Sequence, residues 1–159
     1  MYLLGLSIIY CIAYLVLFFG IPFFFTHRLA KPRLRSLGSM GLILLFYFSV
    51  LIICNLIPDP EWSNRILHTF GGGFLIVLVT FLVIQDSDTR INAFQFIVLG
   101  ISVAALFGSA NEMFEFILQN QFGLLFADSV NDTWLDLISN TVGSIVASLH
   151  IAPFVKVEK

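Results

Sequence analysis

Long apolar runs alternate with short polar breaks along the whole chain. About 20 apolar residues in an α-helix cross a bilayer hydrocarbon core of about 30 Å. The breaks are loops or helix terminators: Pro58, Asp59 and Pro60, for example, cannot continue a helix. The pattern predicts an all-α fold, a single-domain polytopic membrane bundle of five transmembrane helices, at about residues 3–25, 40–57, 66–84, 93–118 and 134–155.

Composition supports a membrane protein and excludes other classes. Hydrophobic residues make up 58% of the chain and charged residues only 11%, whereas about 25% of the residues of a soluble domain are charged. A net charge of −2 offers no basic surface to a polyanion, so we expect no nucleic-acid partner. Cys11 and Cys54 lie inside apolar runs, which predicts no disulfide framework.

The basic residues indicate an orientation. Every Lys and Arg except Arg65 falls in the first loop, the third loop or the C-terminal tail, which share one side of a five-span protein: Arg28, Lys31, Arg33, Arg35, Arg90, Lys156 and Lys159. Because loops rich in Lys and Arg stay in the cytoplasm, we predict an outside N-terminus and a cytoplasmic C-terminus. We expect a multi-pass protein of the cytoplasmic membrane. Asp86 and Asp88 then belong to an inner loop and are expected to be solvated.

Polar residues within the third and fourth spans are costly and require an explanation. Arg65 and His68 are three residues apart, on one helical face, and the glycines that follow let another helix pack closely. Glu112 and Glu115 are like charges near a helix C-terminus, where neighbouring charges and the helix dipole oppose them. Either a carboxyl is protonated or a cation offsets its charge. The alternative is that both glutamates, and His68, simply face headgroup water.

The fifth span carries one polar stripe. Asp132, Asp136 and Asn140 recur every four residues and therefore share a helix face. Asp132 is well placed as an N-cap. Asn140 would lie roughly 10 Å below the helix start, too deep for the headgroups, so the stripe must face protein or a water-filled cavity.

The predicted topology brings these groups to one level. If the third, fourth and fifth helices pack together, they enclose an acidic pocket that opens outward. His, Glu and Asp side chains are ligands for Zn, Mg or Mn. The candidate metal ligands are His68, Glu112, Glu115, Asp132 and Asp136; the candidate catalytic residues are His68, Glu115 and Asp136; and the candidate substrate-binding residues are Arg65 and Asn140.

A family resemblance covers about residues 64–146. The segment Asp136-x-x-x-Asn140-x-x-Gly143, after a span ending in Glu and a helix beginning with His, resembles the VanZ-like family. The outline Arg65-x-x-His68, Asn-Glu-Met-Phe-Glu ending at Glu115, and then Asp132-x-x-x-Asp136 is also similar to the YjdF-type inner-membrane proteins. VanZ-like proteins commonly carry an Arg before the final Asp, and residues 120–131 contain none, which favours the YjdF-type side. The resemblance implies a cell-envelope protein, and no activity is carried over from it.

Three functions follow as hypotheses. The first is a metal-dependent protein that acts on a phospholipid or polyprenyl-phosphate headgroup at the outer leaflet, with His68 or a Glu as base. The second is a non-enzymatic protein whose polar network fixes helix packing or partner binding. The third is a small transporter; against it, the inner halves of the spans have no ionisable residue to complete a path.

Overall fold

The computed structural model describes residues 2–32, 34–123 and 129–155, with the backbone alone for residues 2–7. All regular structure in these ranges is helical, and five helices are long and apolar enough to cross a membrane. The prediction of an all-α membrane bundle is therefore confirmed. Arg33, Lys156 and Lys159 lie outside the described ranges. The spans, first to fifth, are Tyr2–Thr26, Leu34–Leu56, Pro60–Asp86, Ala93–Phe122 and Val130–Phe154.

The third and fifth spans begin before their apolar runs because polar residues cap them. Asp59 is the N-cap of the third span, which starts with Pro60, a residue suited to the first helical turn. Ser129 is the N-cap of the fifth span and accepts a hydrogen bond from the backbone of Asp132. The prediction that Asp132 is the N-cap is therefore wrong. The helix starts earlier, at Val130, and the carboxylate of Asp132 is used elsewhere.

The third span is the centre of the bundle. It packs against all four other spans, with the first and second on one side and the fourth and fifth on the other. Within the described ranges the two flanking pairs do not pack against each other. Any site shared by several spans must therefore include the third span.

A π-helical segment, Leu67–Phe74, interrupts the third span. This segment lies directly against the fifth span. A Cβ atom on Gly73 would overlap the backbone carbonyl of Asn140, and one on Gly143 would overlap the carbonyl of Thr69. The two backbones are in contact because side chains are missing on both sides, which confirms that the glycine run admits a close helix partner. π-Helical segments are frequent at functional sites.

The far end of the third span holds a buried carboxylate. Asp86 is 4% exposed and accepts a 2.5 Å hydrogen bond from the hydroxyl of Tyr14. Arg35 pairs with the Asp86 carboxylate at 3.5 Å and with Asp88 at 2.7 Å. We call Tyr14, Arg35, Asp86 and Asp88 the Asp86 cluster. The expectation that Asp86 is a solvated loop residue is wrong, because the helix continues through it and the first two spans cover it.

Candidate functional site

Asp136 is the hub of the polar residues at the opposite end of the third span. Its side chain is 3% exposed. One carboxylate oxygen, Oδ1, accepts hydrogen bonds from Arg65 and from the Asn64 amide, the latter at 3.1 Å. The same oxygen lies 3.3 Å from Nε2 of His68. Consecutive turns of the third span therefore hold a single carboxylate of the fifth span.

Arg65 connects the first two acids of the polar stripe. Its guanidinium donates to the carboxylates of Asp132 and Asp136 and to the backbone carbonyl of Asp132, the last at 3.2 Å. The side chain is 17% exposed. The stripe faces protein, as the sequence indicated. A role for Arg65 in substrate binding stays a prediction, because in this structure the guanidinium is engaged by the stripe.

His68 lies between Asp136 and Asn140. The amide nitrogen of Asn140 lies 3.3 Å from Nδ1 of the imidazole, while Nε2 faces Asp136. An amide nitrogen only donates, so this arrangement assigns the imidazole proton to Nε2 and the lone pair to Nδ1. Asn140 is 5% exposed. The polar contacts of His68 therefore come from the stripe of the fifth span.

Glu112 completes the group from the fourth span. It is 7% exposed, and its Oε1 atom has no hydrogen-bond partner among the described residues. Ligand atoms of His68, Glu112 and Asp136 lie within 4.8 Å of one another. We call these three residues the His68 cluster. An unpartnered buried carboxylate oxygen is rare in proteins and requires an explanation.

Two predicted metal ligands lie outside this cluster. Asp132 binds Arg65, and Glu115 accepts a 2.8 Å hydrogen bond from Asn111. Successive residues of a helix turn by about 100°, so Glu112 and Glu115 diverge by about 60° around the fourth span. Glu112 is buried beside His68 and Asp136, whereas Glu115 lines the adjoining cavity. Asn64 and Asn111 are contacts that the sequence analysis did not single out.

The charges around the cluster do not balance. Four carboxylates, those of Glu112, Glu115, Asp132 and Asp136, lie at this end of the bundle with Arg65 as their basic partner. Burial of charge without compensation is costly. Protons on the carboxylates or a bound cation must therefore reduce the negative charge.

A cavity of about 440 Å³ adjoins the cluster. It lies in the gap between the first and fourth spans, against the π-helical segment. Most of its walls are apolar; its polar groups include those of His68, Asn111, Glu115 and Asn140. Its size is in the range of ligand-binding cavities, roughly 300–1,000 Å³.

Comparison with protein families places the chain. A family model described as a predicted membrane protein, DUF2238, matches residues 5–156. The chain belongs to this family. Comparison with the curated proteins and with the solved structures finds no significant match. Membership covers all five spans and establishes a membrane protein. It does not connect the chain specifically to the VanZ-like or YjdF-type proteins.

Proposed function

We propose that this protein binds a divalent cation at the His68 cluster and uses it to act on the phosphate headgroup of a membrane lipid. The observation that carries the proposal is Glu112. Its buried, unpartnered oxygen belongs to the group that also contains His68 and Asp136. A cation held there would give this oxygen a partner and offset the excess of carboxylates.

The donor set suits a transition metal. One imidazole nitrogen and two carboxylates are ligands that Zn²⁺ and Mn²⁺ accept, and the imidazole favours these ions over Mg²⁺. A site with three protein ligands leaves a position for water or substrate. Asp132 and Glu115, which lie outside the cluster, are not needed as ligands in this proposal.

Asn140 is suited to support such a site. A metal-bound imidazole uses one nitrogen as ligand and donates from the other to a nearby acceptor. With a metal on Nε2, Nδ1 of His68 would carry the proton. Rotation of the Asn140 amide would present its oxygen to that proton in place of its nitrogen, which now lies at 3.3 Å. Asn140 would then orient the ligand without contacting the metal.

The location of the cluster favours a lipid headgroup as the substrate class. His68 follows the start of the third span at Pro60 by about 12 Å along the helix axis, so the cluster lies below the membrane surface. A divalent cation at this depth supplies the positive charge that a phosphate requires and that Arg65 alone, held by two acids, does not. Glycerophospholipids and polyprenyl phosphates both present such a phosphate.

Metal content tests the proposal directly. Protein purified in detergent and reconstituted with Zn²⁺ or Mn²⁺ is expected to hold a stoichiometric ion after desalting, as measured by mass spectrometry of the metal. The metal content of the Glu112→Gln variant should fall to background. Glu115→Gln is the matched control, because it makes the same change one helical turn away, outside the cluster, and should retain the ion. Wild-type protein that holds no metal, or equal loss in both variants, would contradict the proposal.

A second arm tests the reaction. Metal-loaded protein is added to lipid phosphates in mixed micelles. We expect release or exchange of the lipid headgroup, and Glu112→Gln should abolish this reaction. A metal-bound protein that leaves every lipid phosphate unchanged would retain the binding part of the proposal and remove the catalytic part.

The orientation is part of the same proposal. With the N-terminus outside, the His68 cluster faces the outer leaflet. In a background without Cys11 and Cys54, Glu61→Cys should react with a membrane-impermeant thiol reagent from outside the cell. Asp88→Cys should react only after permeabilisation. The reverse pattern would turn the cluster towards the cytoplasm.

A structural role for the polar network is the second candidate. It is favoured by the pairing of Asn64, Arg65 and His68 with a single carboxylate at the closest helix crossing. Such contacts fix geometry more than they add stability, since each averages about 0.6 kcal/mol in a membrane protein. Metal-free wild-type protein that loses thermal stability in Asp136→Asn would favour this candidate.

A further inference from the structure

The cavity beside the His68 cluster is open towards the lipid. Ile9 of the first span and Phe114 of the fourth span line it, and they are 50% and 55% exposed. The first and fourth spans do not pack against each other in the described ranges. The opening between these two side chains therefore leads sideways out of the bundle, at a level where the surrounding medium is the bilayer.

The cavity has a polar end and an apolar end. Asn111 and Glu115 line it towards the end of the fourth span, and Ala104 lines it deeper, near Ala13 and Ile76 of the neighbouring spans. From Glu115 to Ala104 the helix rises about 16 Å. One leaflet of a bilayer core is about 15 Å thick. The cavity thus follows the depth of a single leaflet, with Asn111 and Glu115 nearest to the headgroup level.

One wall of the cavity is built of small residues. Gly71, Gly72 and Gly108 line it nearest to His68, and alanines continue it. Tyr10 of the first span donates a hydrogen bond to the carbonyl of Gly71, so the first span remains attached to the π-helical segment beside the opening. An unbranched acyl chain can lie against such a wall, and its length matches the depth of one leaflet, which the much longer chain of a polyprenyl lipid exceeds.

We propose that this cavity binds one acyl chain of a glycerophospholipid, which enters laterally between the first and fourth spans. The headgroup of that lipid then lies beside His68 and Glu115. Identification of the bound lipid as the substrate rests on the proposed function, because it needs the cation of the His68 cluster. Binding of the chain itself does not.

Photocrosslinking tests the proposal. The probe is a phosphatidylethanolamine with a diazirine in the middle of one acyl chain, incorporated into nanodiscs with the full-length protein. Labelled peptides are expected from the facing walls of the first and fourth spans. Ala104→Phe should reduce this labelling roughly tenfold, because the ring displaces methylenes whose burial is each worth roughly fourfold in affinity.

Ala105→Phe is the matched control. It makes the same change at the same depth, on the exposed neighbouring position outside the cavity, and should leave labelling unchanged. Ala110→Trp provides a second variant if Ala104→Phe does not fold, since Ala110 lines the cavity but is exposed and tolerates a larger side chain. It should also reduce labelling.

Labelling that is spread evenly over the outer faces of the bundle, or that is equal in all variants, would overturn the proposal and leave only annular lipid. Preference for a polyprenyl phosphate carrying the same diazirine would overturn it as well. Loss of metal in Glu112→Gln with unchanged crosslinking would leave both proposals standing. Metal binding without localised crosslinking would remove this proposal alone.

Discussion

A buried carboxylate lies at each end of the third span, Asp86 of that span at one end and Glu112 of the fourth span at the other, and their partners differ. At one end, Oδ2 of Asp86 accepts a hydrogen bond from the hydroxyl of Tyr14, and Oδ1 pairs with Arg35. At the other end, Glu112 has an oxygen without a partner in the described chain, close to His68 and Asp136.

This difference separates an anchoring group from a binding group. A buried carboxylate whose oxygens are all satisfied holds helices together, and it needs nothing further. A buried carboxylate with an unpartnered oxygen has a desolvation free energy that is not compensated until a proton or a cation binds. Burial alone therefore does not distinguish the ends. The completeness of the hydrogen bonding distinguishes the two ends, and substitutions can therefore test the comparison.

The largest effect is expected from Asp136→Leu. The change leaves Arg65 with only Asp132 and removes the carboxylate that faces Nε2 of His68. Removing one partner of a buried ion pair costs about 3–5 kcal/mol, and unfolding in detergent should show a loss near the lower value. Glu61→Leu, at an exposed acid in the first turn of the third span, should cost under about 1 kcal/mol. Equal losses would remove the distinction between buried and solvated acids.

Gly73→Ala should have the next largest effect. Its new methyl group would overlap the backbone of Asn140 and push the fifth span away from the third. Overpacking of this kind costs about 1–3 kcal/mol, and it should also weaken metal binding, because it separates His68 from Asp136. Gly41→Ala is the control: a methyl group there meets nothing within 4 Å, and alanine favours the helix by about 1 kcal/mol. Opposite changes in thermal stability are expected.

Asp86→Asn tests the anchoring end. The amide still accepts from Tyr14 but no longer carries the charge that pairs with Arg35, whose side chain is 40% exposed. A loss of about 1–2 kcal/mol in the free energy of unfolding is expected. Metal content should not change, since this cluster lies at the opposite end of the span. Loss of metal in this variant would show that the two ends are coupled.

Much of the fold followed from hydropathy. The five apolar runs are the five helices, since a bilayer solvent leaves few other solutions for such a sequence. The shared face of Asp132, Asp136 and Asn140 also followed, because helical spacing fixes which side chains lie together on a helix. The contact of this stripe with Arg65 and His68 needed the further assumption that the third and fifth helices pack against each other.

The remaining features depend on tertiary packing that spacing does not contain. The choice between Glu112 and Glu115 is set by the rotation of the fourth span, whose buried face includes Gly100, Ala104 and Gly108. Asp86 looked like a loop residue because its partners come from the first and second spans, which carry no complementary motif. The π-helical segment likewise arises at a crossing between two distant parts of the chain.

Glu112→Gln gives the smallest effect and the sharpest comparison, because its sign depends on metal. In chelator, the substitution removes the charge of a buried carboxylate whose Oε1 has no hydrogen-bond partner among the described residues, so the variant should be more stable than the wild type by about 1 kcal/mol. With metal at a hundredfold excess over its Kd, the wild type gains about 2.7 kcal/mol and should overtake the variant. Thermal unfolding with and without Zn²⁺ measures both. Glu112→Gln could instead destabilise the protein in chelator, as Asp86→Asn should. Glu112 would then be an anchoring residue, and the carboxylates at both ends of the third span would stabilise helix packing.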